Sequence, residues 1–472
     1  MLPAIAKILL IFSVSHASES QRLDDIESRL LDVEIHTQRD KIHLSGQLDN
    51  VVQWERVDRS NQAPYRNVEQ SYITEFRLKS FASPLPRWQI YTTIGAGYNW
   101  NNNFVIPSVV TEDGQASLKG SYLWVEKAYF DYSVFKNMLK ISVGRLPTQL
   151  GPPAEYQSGD ERLGTYPLLS YSVPLDGAAI TWKINKTFNF SDRLVLRGIF
   201  SPFGNEDTKY FYTPTSSGNE RIFRNNATEM GGGYFLTLEY GTHKIPFIED
   251  FKFFLQGFHA KFSRMKSVEA RGLLTDTFRG ALSSPYFMDR NVYEIGSTSR
   301  DLAQVNVFVA HMELNRPFGS NFDFYSTFKK SWFDKRGSLT AVVVEDHSSV
   351  PGFGVGTEVD LGGFIYSNDE EATGVLIGGR YTFLEKINLG LEYLKQNHGL
   401  MPTALRAPNP TSFYTTLGKG YHAYLNYNIH KYLAKIRLGY FKTYEESTFS
   451  SFSYVSNEQN KDIIYSQLVL RF

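Results

Sequence analysis

The last eleven residues, Asp462 to Phe472, read D-I-I-Y-S-Q-L-V-L-R-F, and their reading decides the fold. Ile464, Leu468, Leu470 and Phe472 fall on one face of an extended strand, and Tyr465, Gln467 and Arg471 fall on the other. That is the period of two expected of a half-wet strand. A soluble sheet could end this way, and so could a barrel that this strand seals. The rest of the chain separates the two.

A length of 472 residues admits several soluble domains or one large barrel. Aromatics make up 15% of the chain, with 29 Tyr and 35 Phe, against 21% charged residues. This favours strands and the aromatic girdles of a membrane interface. Lys+Arg and Asp+Glu both total 49, and no basic block appears, so no nucleic-acid partner is expected. The absence of cysteine excludes disulfides, thiol catalysis, Cys-ligated metals and lipid attachment through an N-terminal Cys.

Residues 1–17 carry Lys7, the apolar run Ile8 to Phe12, and Ser15-His16-Ala17 with small residues where a signal peptidase needs them. They read as a secretory signal peptide, too short to span a bilayer, which takes about 20 apolar residues. In residues 18–40, Leu23, Ile26, Leu30 and Val33 lie on one face of an amphipathic helix. A seam this short needs partners, either copies of itself in the coiled coil of a homotrimer or the rim of a barrel. A solvated helix with no partner is the other reading.

From residue 41 to 472 the period is two. Trp88, Ile90, Ile94, Tyr98 and Trp100 oppose Gln89, Thr93 and Asn99; Phe251 and Phe253 oppose Lys252; Ile436, Leu438 and Tyr440 oppose Lys435 and Arg437. The connections are more telling. Phe135–Asn137, Leu384–Lys386, His430–Lys431 and Ser83–Pro86 are short. Asn101–Lys119, Leu146–Ser172, Ser201–Glu229, Ser263–Asp301, Gln396–Lys419 and Glu445–Asn460 are long and polar. Alternation of short and long is how an outer-membrane barrel sorts periplasmic turns from outer loops. The expected fold is an all-β, transmembrane, antiparallel β-barrel. Counting Gly337–Glu345 and Gly354–Tyr366 as strands gives 18, and dropping that hairpin gives 16.

The segments Gly144–Thr148, Gly151-Pro152-Pro153, Gly164–Leu169 and Leu175–Ala179, with Ile377–Tyr381 and Gly390–Tyr393, resemble a family of uncharacterised porin-like proteins from proteobacterial outer membranes. The terminal strand is similar to those of outer-membrane barrels, which end on an aromatic that the barrel-assembly machinery reads. The resemblance implies an outer-membrane channel with no particular cargo, and marks Leu468, Leu470 and Phe472 as the assembly signal.

The expected function is passive diffusion of small hydrophilic solutes, without catalysis, cofactor or metal. Alternation turns Lys140, Lys183, Arg193, Arg197, Lys252, Lys329, Arg380, Lys435 and Arg437 inward, against Glu75, Asp131, Glu239, Asp323, Glu358, Asp360 and Glu392. A basic excess lowers the barrier for anions, so a mild anion preference is expected, although pairing between strands would consume most of these charges. Leu146–Ser172 follows the fifth strand, where general porins fold a constricting loop. Glu155, Asp160, Glu161 and Arg162 would then approach the lumen; an exposed loop on the rim is the alternative. Two other readings stay open: a closed barrel acting as surface anchor or adhesin, and an outer-membrane hydrolase. His43, His311 and His422 face inward singly, and neither H-E-x-x-H nor G-x-S-x-G occurs.

Overall fold

A computed structural model describes residues 42–472 apart from 60–66, 86, 101–120, 136, 160–161, 163, 165, 171–174, 203–210, 215–219, 225–231, 264–267, 272–291, 298–300, 336–337, 346–357, 364–370, 385, 398–412, 415, 431–432 and 451–452. The expected signal peptide and the helix over 18–40 lie outside the described residues.

The wall is built from β1 (Ile42–Arg59), β2 (Asn67–Leu85), β3 (Trp88–Asn99), β4 (Ser121–Val134), β5 (Leu139–Leu146), β6 (Leu175–Lys183) and β7 (Arg193–Pro202). After a pair of short strands, β8 (Phe211–Pro214) and β9 (Glu220–Arg224), it continues with β10 (Gly232–Thr242) and β11 (Asp250–Ser263). A second pair, β12 (Val268–Arg271) and β13 (Val292–Ser297), precedes β14 (Asp301–Asn315) and β15 (Phe322–Lys335). A third, β16 (Ser338–Glu345) and β17 (Glu358–Gly363), precedes β18 (Glu371–Phe383), β19 (Ile387–Gln396), β20 (Gly418–His430), β21 (Ala434–Ser450) and β22 (Ser453–Arg471).

Each wall strand pairs antiparallel with its neighbours, and β22 pairs with β1 from Gln459↔Arg59 to Arg471↔Gln47. The sheet is closed, so it has no edge to leave unpaired. Phe472 finishes the seam: its N–H donates to Gly46 O at 3.0 Å and its carbonyl accepts from Gly46 N–H at 2.6 Å. Its ring lies where a side chain at position 46 would stand, and stacks on Phe76 at 6.1 Å.

The two faces of the wall are inverted relative to a soluble barrel. Ile464, Leu236, Ile180 and Leu391 are among the most exposed side chains, while Asp49, Glu313, Glu392 and Lys435 are buried inside. On β22 the contrast is between adjacent residues, Ile464 at 54% exposure and Tyr465 at 1%. Such a surface suits hydrocarbon outside and polar contents within. The short turns carry exposed Phe135, Phe247, Phe318 and Leu384, all at positive φ. Tight hairpins demand that backbone region, and an apolar surround at the rim is where such side chains would be favourable.

Two expectations are corrected. The wall has 16 strands, the alternative to 18, because β15 pairs directly with β18. Gly337–Glu345 and Gly354–Tyr366 supply β16 and β17, which satisfy their hydrogen bonds in a separate six-stranded sheet ordered β17-β16-β13-β12-β9-β8. Three long connections thus share one sheet, and Glu358 and Asp360 stand on it, not on the inner wall. Glu445–Asn460 is likewise no irregular loop: β21 and β22 stay paired up to Ser450↔Ser453. Its Thr, Val, Tyr and Phe residues are strand formers, so polarity alone did not mark a loop.

Candidate functional site

The connection between β5 and β6 enters the barrel. Its helix, Ala154–Ser158, ends at Gly159, whose φ of 63° supplies the left-handed stop. Leu168 and Leu169 are fully buried, and Leu168 N–H donates to Pro152 O at 2.8 Å, folding the loop onto itself. The loop tip then reaches the wall on β11 to β21. Tyr156 Oη donates to Asn315 Oδ1 at 2.7 Å and stacks on Tyr325 at 4.5 Å, with the Arg380 guanidinium 4.9 Å over its ring. Asn426 Nδ2 donates to Gln157 O at 2.8 Å and Lys435 Nζ to Ser158 O at 2.5 Å.

Two charged centres hold the tip. At the first, Arg162 bridges Glu155 on its own loop and Glu313 on β14, lies 4.7 Å over the Phe254 ring, and has Lys252 3.7 Å from Glu313 on the far side. Burial raises the Glu155 carboxyl above the usual carboxylate range; the Arg162 guanidinium pulls it back and the Glu313 carboxylate adds to the rise. Burial works against the Arg162 charge, but Glu155 and Glu313 together hold it protonated more firmly than usual.

At the second, Glu392 is buried with four donors around it. Tyr325 Oη donates to it at 2.6 Å and Tyr414 Oη at 2.8 Å, His422 Nδ1 lies at 2.8 Å, and Gln157 Nε2 completes the set. His422 Nε2 passes the network on to Tyr465 Oη at 3.0 Å. Burial, then the Glu392 charge, push the Tyr414 hydroxyl well above its ordinary pKa, so it stays a donor. Tyr414 comes from the β19–β20 connection, whose Phe413 is also fully buried, so a second loop fills the same side. Three tyrosines make room by lying over glycines directly across the ladder: Tyr325 over Gly378, Tyr424 over Gly390 and Tyr465 over Gly439. A Cβ at any of these glycines would strike the ring. Leu376, Leu394, Phe441 and Ile463 complete a small apolar core inside the barrel.

The expected inward cations fall into three groups. Lys140 pairs with Asp131 at 2.6 Å, Arg193 with Glu239 at 2.8 Å, Arg197 with Glu239 at 3.5 Å, Lys252 with Asp250 at 2.8 Å and Arg380 with Asp323 at 2.6 Å. Lys329, Lys435 and Arg437 are buried on the inner wall, and Arg437 donates to Gln467 at 2.7 Å. Lys183 sits at the short-turn rim, donating to Asn137 at 3.3 Å. Asp160 and Glu161 lie outside the described residues. Sequence reasoning named Glu75 but missed Glu313 and the rest of the Arg77 centre, where one guanidinium meets Asp49, Glu75 at 2.7 Å and Glu126 at 3.0 Å; strict alternation signals Glu313, Arg77 and Asp49, but not Glu126, which a register shift in β4 turns inward. Of the inward histidines, His311 lies between Thr327 Oγ1 at 2.7 Å and Glu313 Oε1 at 3.1 Å, with all three side chains buried. Such a line orients groups within a wall, and burial keeps solutes from it.

Beneath the tip, a polar pocket of about 280 Å³ opens at the short-turn rim, between Glu155, Tyr156, Lys252, Asn315, Arg316 and Arg380. A larger groove, about 1080 Å³, is apolar and lies on the outer face between Leu139, Ile180, Leu196 and Leu236.

Residues 87–464 match the family described as "Protein of unknown function (DUF3373)". The chain belongs to this family. No curated protein matches the sequence. Solved structures similar to this member include Salmonella typhi OmpF in complex with daunomycin, at 11% identity and a TM-score of 0.43, covering 92% of this chain and 98% of that one. OmpT, an outer membrane protein of Vibrio cholerae, is similar at 10% identity and 0.43, covering 92% and 99%. The TodX monoaromatic hydrocarbon channel is similar at 12% and 0.35, covering 92% and 90%.

Proposed function

We propose that this DUF3373 protein is an outer-membrane channel for passive diffusion of small hydrophilic solutes, narrowed by the β5–β6 loop and without catalytic activity. The observation that carries the reading is the inverted wall: apolar side chains outside, charged and hydrogen-bonding side chains inside, and a loop that crosses to one side of the lumen. Reconstitution in a planar bilayer tests it. Steady single-channel steps are expected, and a barrel that never conducts would overturn it.

The finer parts of the reading are export by residues 1–17, trimer assembly through residues 18–40, and recognition of Leu468, Leu470 and Phe472 by the barrel-assembly machinery. Deleting Phe472 should lower the amount of heat-modifiable barrel, and normal levels would exclude that role. A mild anion preference is supported by the basic excess among the inward positions and limited by the five cations that pair with carboxylates. Reversal potentials under a salt gradient measure it, and a cation preference would rule it out. One observation favours a second reading, a closed barrel anchoring surface structure. Two loops pack inside while three others share a sheet. The absence of conductance would select it.

A further inference from the structure

On the wall facing the loop tip, four rings form a row. His43 on β1, Phe81 on β2, Tyr91 on β3 and Tyr129 on β4 are direct cross-strand partners in turn. Their centroids are 5.9, 5.0 and 4.9 Å apart, with interplanar angles of 26°, 42° and 16°. All four are on the inner face, at even spacing from Asp49, Glu75, Thr93 and Asp131, which are buried inside. The outer girdle is a different set: Trp88 with Phe130 and Tyr132 stands on the opposite face of the same strands. An interface with lipid therefore explains the outer rings and leaves the inner row unexplained.

Tyr91 and Tyr129 stack face to face, His43 lies near-parallel to Phe81, and Phe81 is tilted by 42° to Tyr91, so the row turns mainly ring edges toward the lumen. Strands of such barrels tilt by ~35–45°, so a row along the hydrogen-bond direction climbs obliquely along the pore. It starts with His43 at the short-turn rim and ends at Tyr129, whose partner across the ladder is Gly144, followed by Gly177. No side chain extends the stack there, beside the root of the inward loop. Polar groups border the row: Tyr91 Oη donates to Gln89 at 3.1 Å, Lys79 Nζ to Gln47 at 3.0 Å, and Lys140 and Ser142 both bond Asp131.

Aromatic rings attract other rings edge to face or offset-stacked. A line of edges with an open end offers both modes, and the bordering Lys and Ser groups suit polar substituents. Resting on the channel reading above, we propose that this row is a binding track for small aromatic solutes carrying hydroxyl or carboxylate groups, led from the short-turn rim to the constriction. A saccharide would need ring faces laid open to the lumen, which the stacked arrangement does not give it. A simple anion would need no rings.

The test is block of single-channel current by 4-hydroxybenzoate, compared with cyclohexanecarboxylate, which has the same charge and no π face. The aromatic acid is expected to half-block at about tenfold lower concentration. Tyr91→Ala and Tyr129→Ala should abolish that difference, whereas Tyr91→Phe and Tyr129→Phe should keep it and show that the barrel is intact. Equal block by the two acids, or a preference surviving both alanine variants, would overturn the track while leaving the channel standing. If wild-type protein carries no current, the channel reading fails. Equilibrium binding of the same acids to the detergent-solubilised barrel then decides the track by the same ratio.

Discussion

The two sides of the lumen use similar residues to opposite ends. From β11 to β22 the inner wall presents Glu313, Tyr325, Glu392, His422 and Lys435, and nearly all are satisfied by loop atoms or by each other beneath loop atoms. From β1 to β5 it presents Arg77, Lys79, Tyr91 and Lys140, which are satisfied by neighbours along the wall. In the sixteen-strand ring β3 stands eight places from β15, so the loop tip covers the wall opposite the aromatic row. Polar composition therefore does not decide whether a stretch of wall faces solvent. What decides it is whether acceptors and donors are matched across to a loop or sideways to the next strand.

Removing the loop tip, residues 153–162, tests this contrast with the largest expected effect: single-channel conductance should rise severalfold, and an unchanged value would mean that the tip does not narrow the passage. Arg162→Ala should come next. It leaves Glu155 and Glu313 facing each other without their cation, and loss of one partner from a buried charge centre costs on the order of 3 kcal/mol. The expected readout is a noisier, larger current and faster proteolysis within the loop. Glu392→Gln keeps the shape but replaces a charged acceptor that serves Tyr325, Tyr414, His422 and Gln157. The unfolding transition of the heat-modifiable form should shift by about 1.5 kcal/mol, the scale of a hydrogen bond to a charged group.

The smallest effect concerns Glu155. Its carboxyl is raised in the docked loop, chiefly by burial, so docking is favoured fully below the carboxyl's undocked pKa and loses that advantage as pH rises through the docked value. Acidification from neutral pH should therefore quiet the current. Glu155→Gln should remove that pH response while leaving conductance near wild type, and a response of the opposite sign would assign the wrong group.

Much of this was legible in the sequence because a barrel repeats its signal. Alternation in Asp462–Phe472 gave the faces of β22, and the parity of connections gave the barrel. The position of Leu146–Ser172 after the fifth strand pointed to a loop near the lumen. What failed has physical causes. Alternation says that Gly337–Glu345 is a strand but not which sheet it joins, so two strands were added to the wall. The inner core of Leu376, Phe441 and Ile463 was invisible, because apolar residues on an inward face read as interruptions until a loop is there to cover them. The glycines under Tyr325, Tyr424 and Tyr465, and the row from His43 to Tyr129, depend on cross-strand register, which a single sequence does not carry.

In the proposed channel one side of the lumen is passage and the other is covered, and the chain's lack of cysteine makes the contrast directly measurable. Lys79→Cys on the open side and Asn426→Cys beneath the loop tip would each be exposed to a bulky, charged thiol reagent during single-channel recording. Stepwise loss of current is expected at Lys79→Cys, and none at Asn426→Cys until residues 153–162 are deleted. Equal modification of both positions in the intact protein would contradict it.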